Sequence, residues 1–182
     1  AVLADFNGDG FSDMLTLGPG GKPRMYPGTK TGHLKNEPVV SLANERDISI
    51  RDPQCISCGD VDGDGDLDAF IGQYAATYQF GKLPTPYYDA NDGHPAYLLI
   101  NDGSGFFTDR TVESGLASKR NRRTYSASFV NLDSDDDLDL MVVSDFAGLD
   151  LYLNNGAGRF ADVTDTLGEA HYSFGMSHAL AD

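Results

Sequence analysis

Asp60-Val61-Asp62-Gly63-Asp64-Gly65-Asp66-Leu67-Asp68 places a carboxylate at every second residue of a nine-residue stretch. Carboxylates so close repel one another strongly unless a cation lies among them. The chain writes this loop twice more, as Asp5-Phe6-Asn7-Gly8-Asp9-Gly10-Phe11-Ser12-Asp13 and as Asn131-Leu132-Asp133-Ser134-Asp135-Asp136-Asp137-Leu138-Asp139. In every copy a side-chain oxygen stands at loop positions one, three, five and nine, and a backbone carbonyl is expected at position seven. An all-oxygen set of this kind is a hard-cation set and suits calcium. Asp and Gly also dominate turns that hold no metal. Three copies in one strand context argue against that reading.

The surroundings repeat with the loops. Before them run Ala1-Val2-Leu3-Ala4, Cys55-Ile56-Ser57-Cys58-Gly59 and Ser126-Ala127-Ser128-Phe129-Val130; after them run Met14-Leu15-Thr16-Leu17, Leu67 to Ile71 and Leu138 to Val143. Each loop therefore joins two antiparallel strands. Tyr97-Leu98-Leu99-Ile100-Asn101-Asp102-Gly103-Ser104-Gly105-Phe106-Phe107 matches Leu151-Tyr152-Leu153-Asn154-Asn155-Gly156-Ala157-Gly158-Arg159-Phe160, apolar strands turned by an Asn/Asp-Gly hairpin signal. The first copy of this hairpin degrades to residues 24–34. Four strands per repeat, without a helical period, is the layout of a propeller blade.

The loops begin at residues 5, 60 and 131, and the longer second step holds an insertion near residues 74–96. The expected blades are residues 1–51, 52–123 and 124–174, with a further blade starting over 175–182. Ala179-Leu180-Ala181-Asp182 repeats Val2-Leu3-Ala4-Asp5, so a strand is expected over Gly175 to Ala181. The nine-residue loop in its four-stranded setting resembles the FG-GAP (VCBS-type) repeats of integrin alpha-subunit propellers. The resemblance covers nearly the whole chain. It implies an all-β propeller segment of about three blades plus the first strand of a fourth. It also implies calcium ligands at Asp5, Asn7, Asp9 and Asp13, at Asp60, Asp62, Asp64 and Asp68, and at Asn131, Asp133, Asp135 and Asp139, with Phe11, Asp66 and Asp137 giving backbone carbonyls. The third loop departs from the pattern, since Asn131 replaces the first Asp and Asp136 a Gly; its site is expected to be the weaker.

Composition fits a folded protein: of 182 residues 40% are hydrophobic and 10% aromatic, which excludes a disordered acidic tail. A formal charge of −15, from 28 acids against 13 bases, argues against nucleic acid as a partner. Three divalent ions would reduce that charge to about −9, so part of the acidity is ligand inventory. No apolar run approaches the roughly 20 residues that span a bilayer, and membrane insertion is not expected. Weak calcium sites are filled outside cells, which places the chain in an extracellular or cell-surface setting.

Four further features carry alternatives. Cys55 and Cys58 form a C-x-x-C without a second pair or a zinc-spaced His pair, and on one strand their Cα atoms would lie ~10 Å apart, beyond disulfide reach. Two buried core thiols are expected. The basic run Lys119-Arg120-Asn121-Arg122-Arg123 is either a solvated loop or faces an acidic neighbour. The insertion, with Tyr74, Tyr78, Phe80, Tyr87, Tyr88 and His94, either folds over its blade or presents aromatics to a glycan or protein. His33, His94, His171 and His178 are scattered, no G-x-S-x-G or H-E-x-x-H occurs, and a packing role is expected for His178.

The chain thus reads as a calcium-stabilised structural or adhesive module, not an enzyme, whose partners are other chains or further repeats of its own. A glycan-binding propeller and a polysaccharide-active enzyme are the alternatives. A closed propeller has about four to eight blades, so this segment is expected to be native within a larger ring or array.

Overall fold

The computed structural model describes residues 1–40, 42, 48, 50–77 and 83–181. Among them lie three antiparallel four-stranded sheets, each a meander in chain order. The first is β1 (Val2–Ala4), β2 (Asp13–Leu17), β3 (Pro23–Tyr26) and β4 (Val39–Val40); the second is β5 (Pro53–Gly59), β6 (Asp68–Gln73), β7 (Tyr97–Asn101) and β8 (Phe107–Asp109). The third is β9 (Arg123–Val130), β10 (Asp139–Asp145), β11 (Gly148–Asn154) and β12 (Phe160–Asp162). Every nine-residue loop joins the first two strands of its sheet. In the first sheet the fourth strand falls at Val39–Val40, beyond the stretch 24–34 where the repeat pattern seeks it. Residues 29–33 there form a local turn instead, with Thr29 Oγ1 donating to the His33 carbonyl at 2.7 Å.

Strand alternation builds the core, because successive side chains leave a strand on opposite faces. On β6, Ala69 and Ile71 join Phe6, Leu15 and Met25 between the first and second sheets, while Phe70 points the other way to Leu140 and Tyr152. β7 repeats the division: Tyr97 and Leu99 face the first sheet, Leu98 the third. The second sheet is therefore covered on both sides. Its glycines admit close approach, since a Cβ on Gly59 would lie 2.9 Å from Leu138 Cδ1. The two cysteines obey the same rule. Cys58 packs into the first core and Cys55 into the second, both as half-buried free thiols rather than fully buried ones. Burial pushes Cys55 up to about 11, and burial together with the nearby Asp68 pushes Cys58 up to about 12.

One expectation needs correction. Residues 175–181 do not form a strand. They run beside β9, where His178 Nδ1 and Nε2 each lie 2.7 Å from a hydroxyl, of Ser126 and Ser128 respectively. Of the two readings of the basic run, the structure shows the acidic neighbour. Lys119 Nζ lies 3.0 Å from Asp150 and 2.7 Å from Asp162. Arg122, almost fully buried, bridges Asp150 (3.1 Å) and Asp89 (2.5 Å) and donates to the Ala90 carbonyl at 3.1 Å. Arg120 lies over the Tyr97 ring. Buried cations persist only when paired, and for Lys119, Arg122 and Arg123 the acids of the insertion and of the third sheet supply the pairs.

The insertion folds over its neighbours. Ala90 N–H donates to the Phe146 carbonyl (2.9 Å), Tyr74 donates to Asp145 (3.0 Å), and Arg123 Nε lies 2.9 Å from Asp92. Tyr78 and Phe80 lie outside the described residues. Burial pushes the Asp92 carboxyl up, but hydrogen bonds from Arg123 and the Thr85 N–H outweigh it and hold the group below the usual carboxylate value. A depressed folded value stabilises the fold above the unfolded pKa and loses that contribution as pH falls through the folded one. Arg123→Ala should therefore cost stability at neutral pH, and its deficit against wild type should shrink below about pH 4. Urea melts of both proteins at several pH values measure this.

Candidate metal centres

The ninth residue fixes each loop. Asp13, Asp68 and Asp139 are fully buried, and each accepts two backbone N–H groups. One comes from loop position two: Phe6 (3.0 Å), Val61 (3.0 Å) and Leu132 (2.7 Å). The other comes from the end of the third strand or just beyond: Gly28 (2.7 Å), Asn101 (2.9 Å) and Asn154 (2.8 Å). One carboxylate thus pins the loop to its own sheet.

The first two loops then turn alike. In the second, Gly63 and Gly65 N–H donate to the two oxygens of Asp60 at 2.8 and 3.0 Å, and Asp66 N–H donates to Asp64 at 2.9 Å. In the first, Asp9 and Gly10 N–H donate to Asp5 at 3.2 and 2.7 Å, and Phe11 N–H to Asp9 at 2.9 Å. The turns need residues at positive φ, which glycine adopts without strain: Gly8 and Gly10 at 68° and 83°, Gly63 and Gly65 at 76° and 95°.

The second loop brings ligand oxygens of Asp60, Asp62 and Asp68 within 4.8 Å of one another, the one such acidic group among the described residues. Asp62 Oδ1 is buried without a hydrogen-bond partner. A buried carboxylate oxygen left so costs several kcal/mol, on the order of 1–3 for the hydrogen bond alone, unless something positive meets it. Burial, then repulsion from Asp64 and Asp60, raises Asp62; burial, opposed by the two N–H donors and reinforced by Asp62 and Asp64, raises Asp68 to about 7. A buried oxygen without a partner among crowded carboxylates fits a hard cation. Asp64 and Asp66 stand on the same loop, where the Asp64 carboxylate is taken up by the Asp66 N–H.

The third loop differs. Neither Ser134 nor Asp136 takes positive φ, and Asn131 Nδ2 donates to the Asp135 carbonyl instead of accepting from the turn. Asp133 and Asp135 cap the N–H groups of Asp135 and Asp137, both at 3.0 Å. An amide at position one has a donor to satisfy, and satisfying it inside the loop redirects the side chain.

Two residues that act on these loops escaped sequence reasoning. Asn101 Nδ2 donates to the Phe6 carbonyl of the first loop (2.8 Å) and to Leu67 of its own loop (3.2 Å). Asn154 Nδ2 does the same to Val61 (2.7 Å) and Leu138 (3.0 Å). Each carboxamide thus ties a loop to the loop of the preceding sheet. The signal was present, since Asn101 and Asn154 align in the repeat, but it reads as hairpin chemistry. Where the first sheet has Gly28, no side chain fits, for a Cβ would lie 2.4 Å from the Ser12 carbonyl.

Residues 5–71 match the family of FG-GAP-like repeats. That stretch, from the first loop through the second into β6, is a repeat of this type. A comparison with curated proteins finds no match.

Asn101→Ala would strand the buried Phe6 carbonyl and open a gap at the boundary between the first and second sheets. The expected cost is about 1–3 kcal/mol, read as a lower denaturation midpoint at unchanged slope in urea.

Proposed function

We propose that this chain is a calcium-stabilised β-propeller segment that acts outside the cell or on its surface as a structural or adhesive module. The unpartnered, buried Asp62 Oδ1 beside Asp60 and Asp68 carries this reading, together with the repeat match over residues 5–71. The three meander sheets are its blades, bounded near residues 51, 123 and 174. Calcium would be held by side chains at positions one, three, five and nine of each loop and by the carbonyl at seven. It would neutralise carboxylates that otherwise repel across a tight turn. The metal is structural here, because its ligands belong to loops that join neighbouring strands.

The reading is non-catalytic. Both ring nitrogens of His178 are engaged by serine hydroxyls, with no carboxylate among its hydrogen-bond partners in the described residues. No helix among the described residues is long and apolar enough to cross a membrane. Its partners are taken to be further repeats or other protein chains. A glycan-binding role has one observation in its favour, the exposed aromatics Tyr87, Tyr88 and Phe174. Their rings meet at steep angles, Tyr87 against Tyr88 at 88° and Tyr87 against Phe174 at 58°, so they do not form a flat stacking platform.

Chelation should lower the melting temperature by roughly 5–10 °C for a site held at about 100 times its Kd. An unchanged melting temperature, on protein shown by elemental analysis to have held calcium, would overturn the proposal. The second loop should bind more tightly than the third, so Asp64→Ala should lose more calcium-dependent stability than Asp135→Ala. Calorimetric titration of the two variants separates them.

A further inference from the structure

Among the described residues two other than glycine take positive φ, Asp89 at 68° and Phe146 at 62°, and both line one pocket. Its other walls include Tyr88, Tyr172, Ser173 and Phe174, and its volume is about 130 Å³. A bulky side chain in the left-handed region is strained, and such strain persists where the surroundings enforce it and gathers at ligand sites. Glycine would take the tight turn between β10 and β11 more readily than Phe146 does.

The strained residues are built in. Ala90, next to Asp89, donates its N–H to the Phe146 carbonyl at 2.9 Å. The buried Phe146 ring meets those of Tyr87 and Phe174 at 5.3 and 5.2 Å. Residues 171–173 lie so close to the start of β11 that a Cβ on Gly148 would collide with the His171 carbonyl oxygen, which seats Tyr172 and Phe174 beside the turn. Packing accounts for Phe146. It does not account for Tyr88, Tyr172 and Phe174, which stay 66%, 54% and 51% exposed around the same pocket. Tyr88 meets Phe174 at 64°, and Phe146 meets Phe174 at 86°. Rings at such angles make the corners of a box, and an aromatic face attracts a cation through its quadrupole.

The fixed charges agree in sign. Asp89 is half-exposed and lies 2.5 Å from Arg122, which is shared with the buried Asp150. Lys119 is shared between Asp150 and Asp162, so two bases meet three carboxylates there. Arg123 is matched by Asp92, Arg120 lies over the Tyr97 ring, and Asp145, one residue before Phe146, is bonded by Tyr74. A primary ammonium would bring three N–H donors that need partners on leaving water, and this lining is mostly aromatic. A quaternary ammonium brings none.

We propose that this pocket binds a trimethylammonium group, as carried by choline and its esters, with Tyr88, Tyr172 and Phe174 around the cation and Asp89 supplying the opposite charge. A cavity of about 150 Å³ holds one benzene, so a hollow of this size takes one such group and not a sugar chain. None of the named walls belongs to a nine-residue loop, and the proposal does not depend on the calcium reading.

The test titrates choline, and its uncharged tert-butyl analogue with carbon in place of nitrogen, into the chain in calcium buffer and follows the ligand methyl resonance, which surrounding rings shift upfield. Choline should bind about tenfold more tightly than the analogue. Tyr88→Leu and Tyr172→Leu, both at exposed positions, should each weaken choline about tenfold at unchanged urea midpoint. Asp89→Asn, which suits positive φ, should weaken it about threefold and flatten its salt dependence. Equal affinity for choline and the analogue would overturn the proposal, as would no methyl shift with choline in large excess. Tighter binding of n-butylammonium than of choline would also overturn it and assign the pocket to a lysine-like amine. Co-sedimentation with phosphatidylcholine vesicles, lost in Tyr88→Leu, would support a lipid headgroup as the source of the group; choline binding without it would support a soluble source.

Discussion

A buried carboxylate between two backbone N–H groups is the interaction on which the molecule turns. Asp13, Asp68 and Asp139 each hold loop position two and the far end of the third strand at once. Without that oxygen pair two buried N–H groups would go unsatisfied, and the loop would lose its attachment to the sheet. The remaining loop acids are placed as a result. Asp60 and Asp62 converge on Asp68 because the turn is anchored at its last residue.

From this anchor the hierarchy builds outward. The loop presents its second carbonyl to the next sheet, and the asparagine of that sheet accepts the invitation while its strands bury Leu15, Met25 or Phe70. The charge of the chain is organised by the same division. Loop acids are crowded, and Asp60, Asp62 and Asp68 lie close enough to hold a metal ion, whereas Asp150, Asp162, Asp89 and Asp92 are paired with Lys119, Arg122 and Arg123 between the insertion and the third sheet. The basic residues thus pair with acids of the insertion and the third sheet, and the loops are left acidic.

Much of this was legible in the sequence because it is periodic. Three loops, their flanking strands and the alternation along β6 and β7 follow from residue spacing. What was not legible depends on contacts distant along the chain. Asn101 and Asn154 look like turn residues, and only the position of a loop 95 or 93 residues earlier gives their amides a role. The burial of Arg122 and Arg123 depends on acids from two other segments. The strand expected over Gly175 to Ala181 was drawn from its likeness to β1. That likeness places the segment beside β9 but does not supply the neighbouring strand it would need to hydrogen-bond as sheet.

The opposite facings of Cys55 and Cys58 have a practical consequence. Three residues apart on one strand, the two thiols lie in different cores, and both are held protonated at neutral pH. Both are half-buried, and the alkylation rate of each should rise when its own boundary opens. The chain therefore carries a natural reporter at each of its two seams, and mass spectrometry of the two labelled sites resolves which seam parts first.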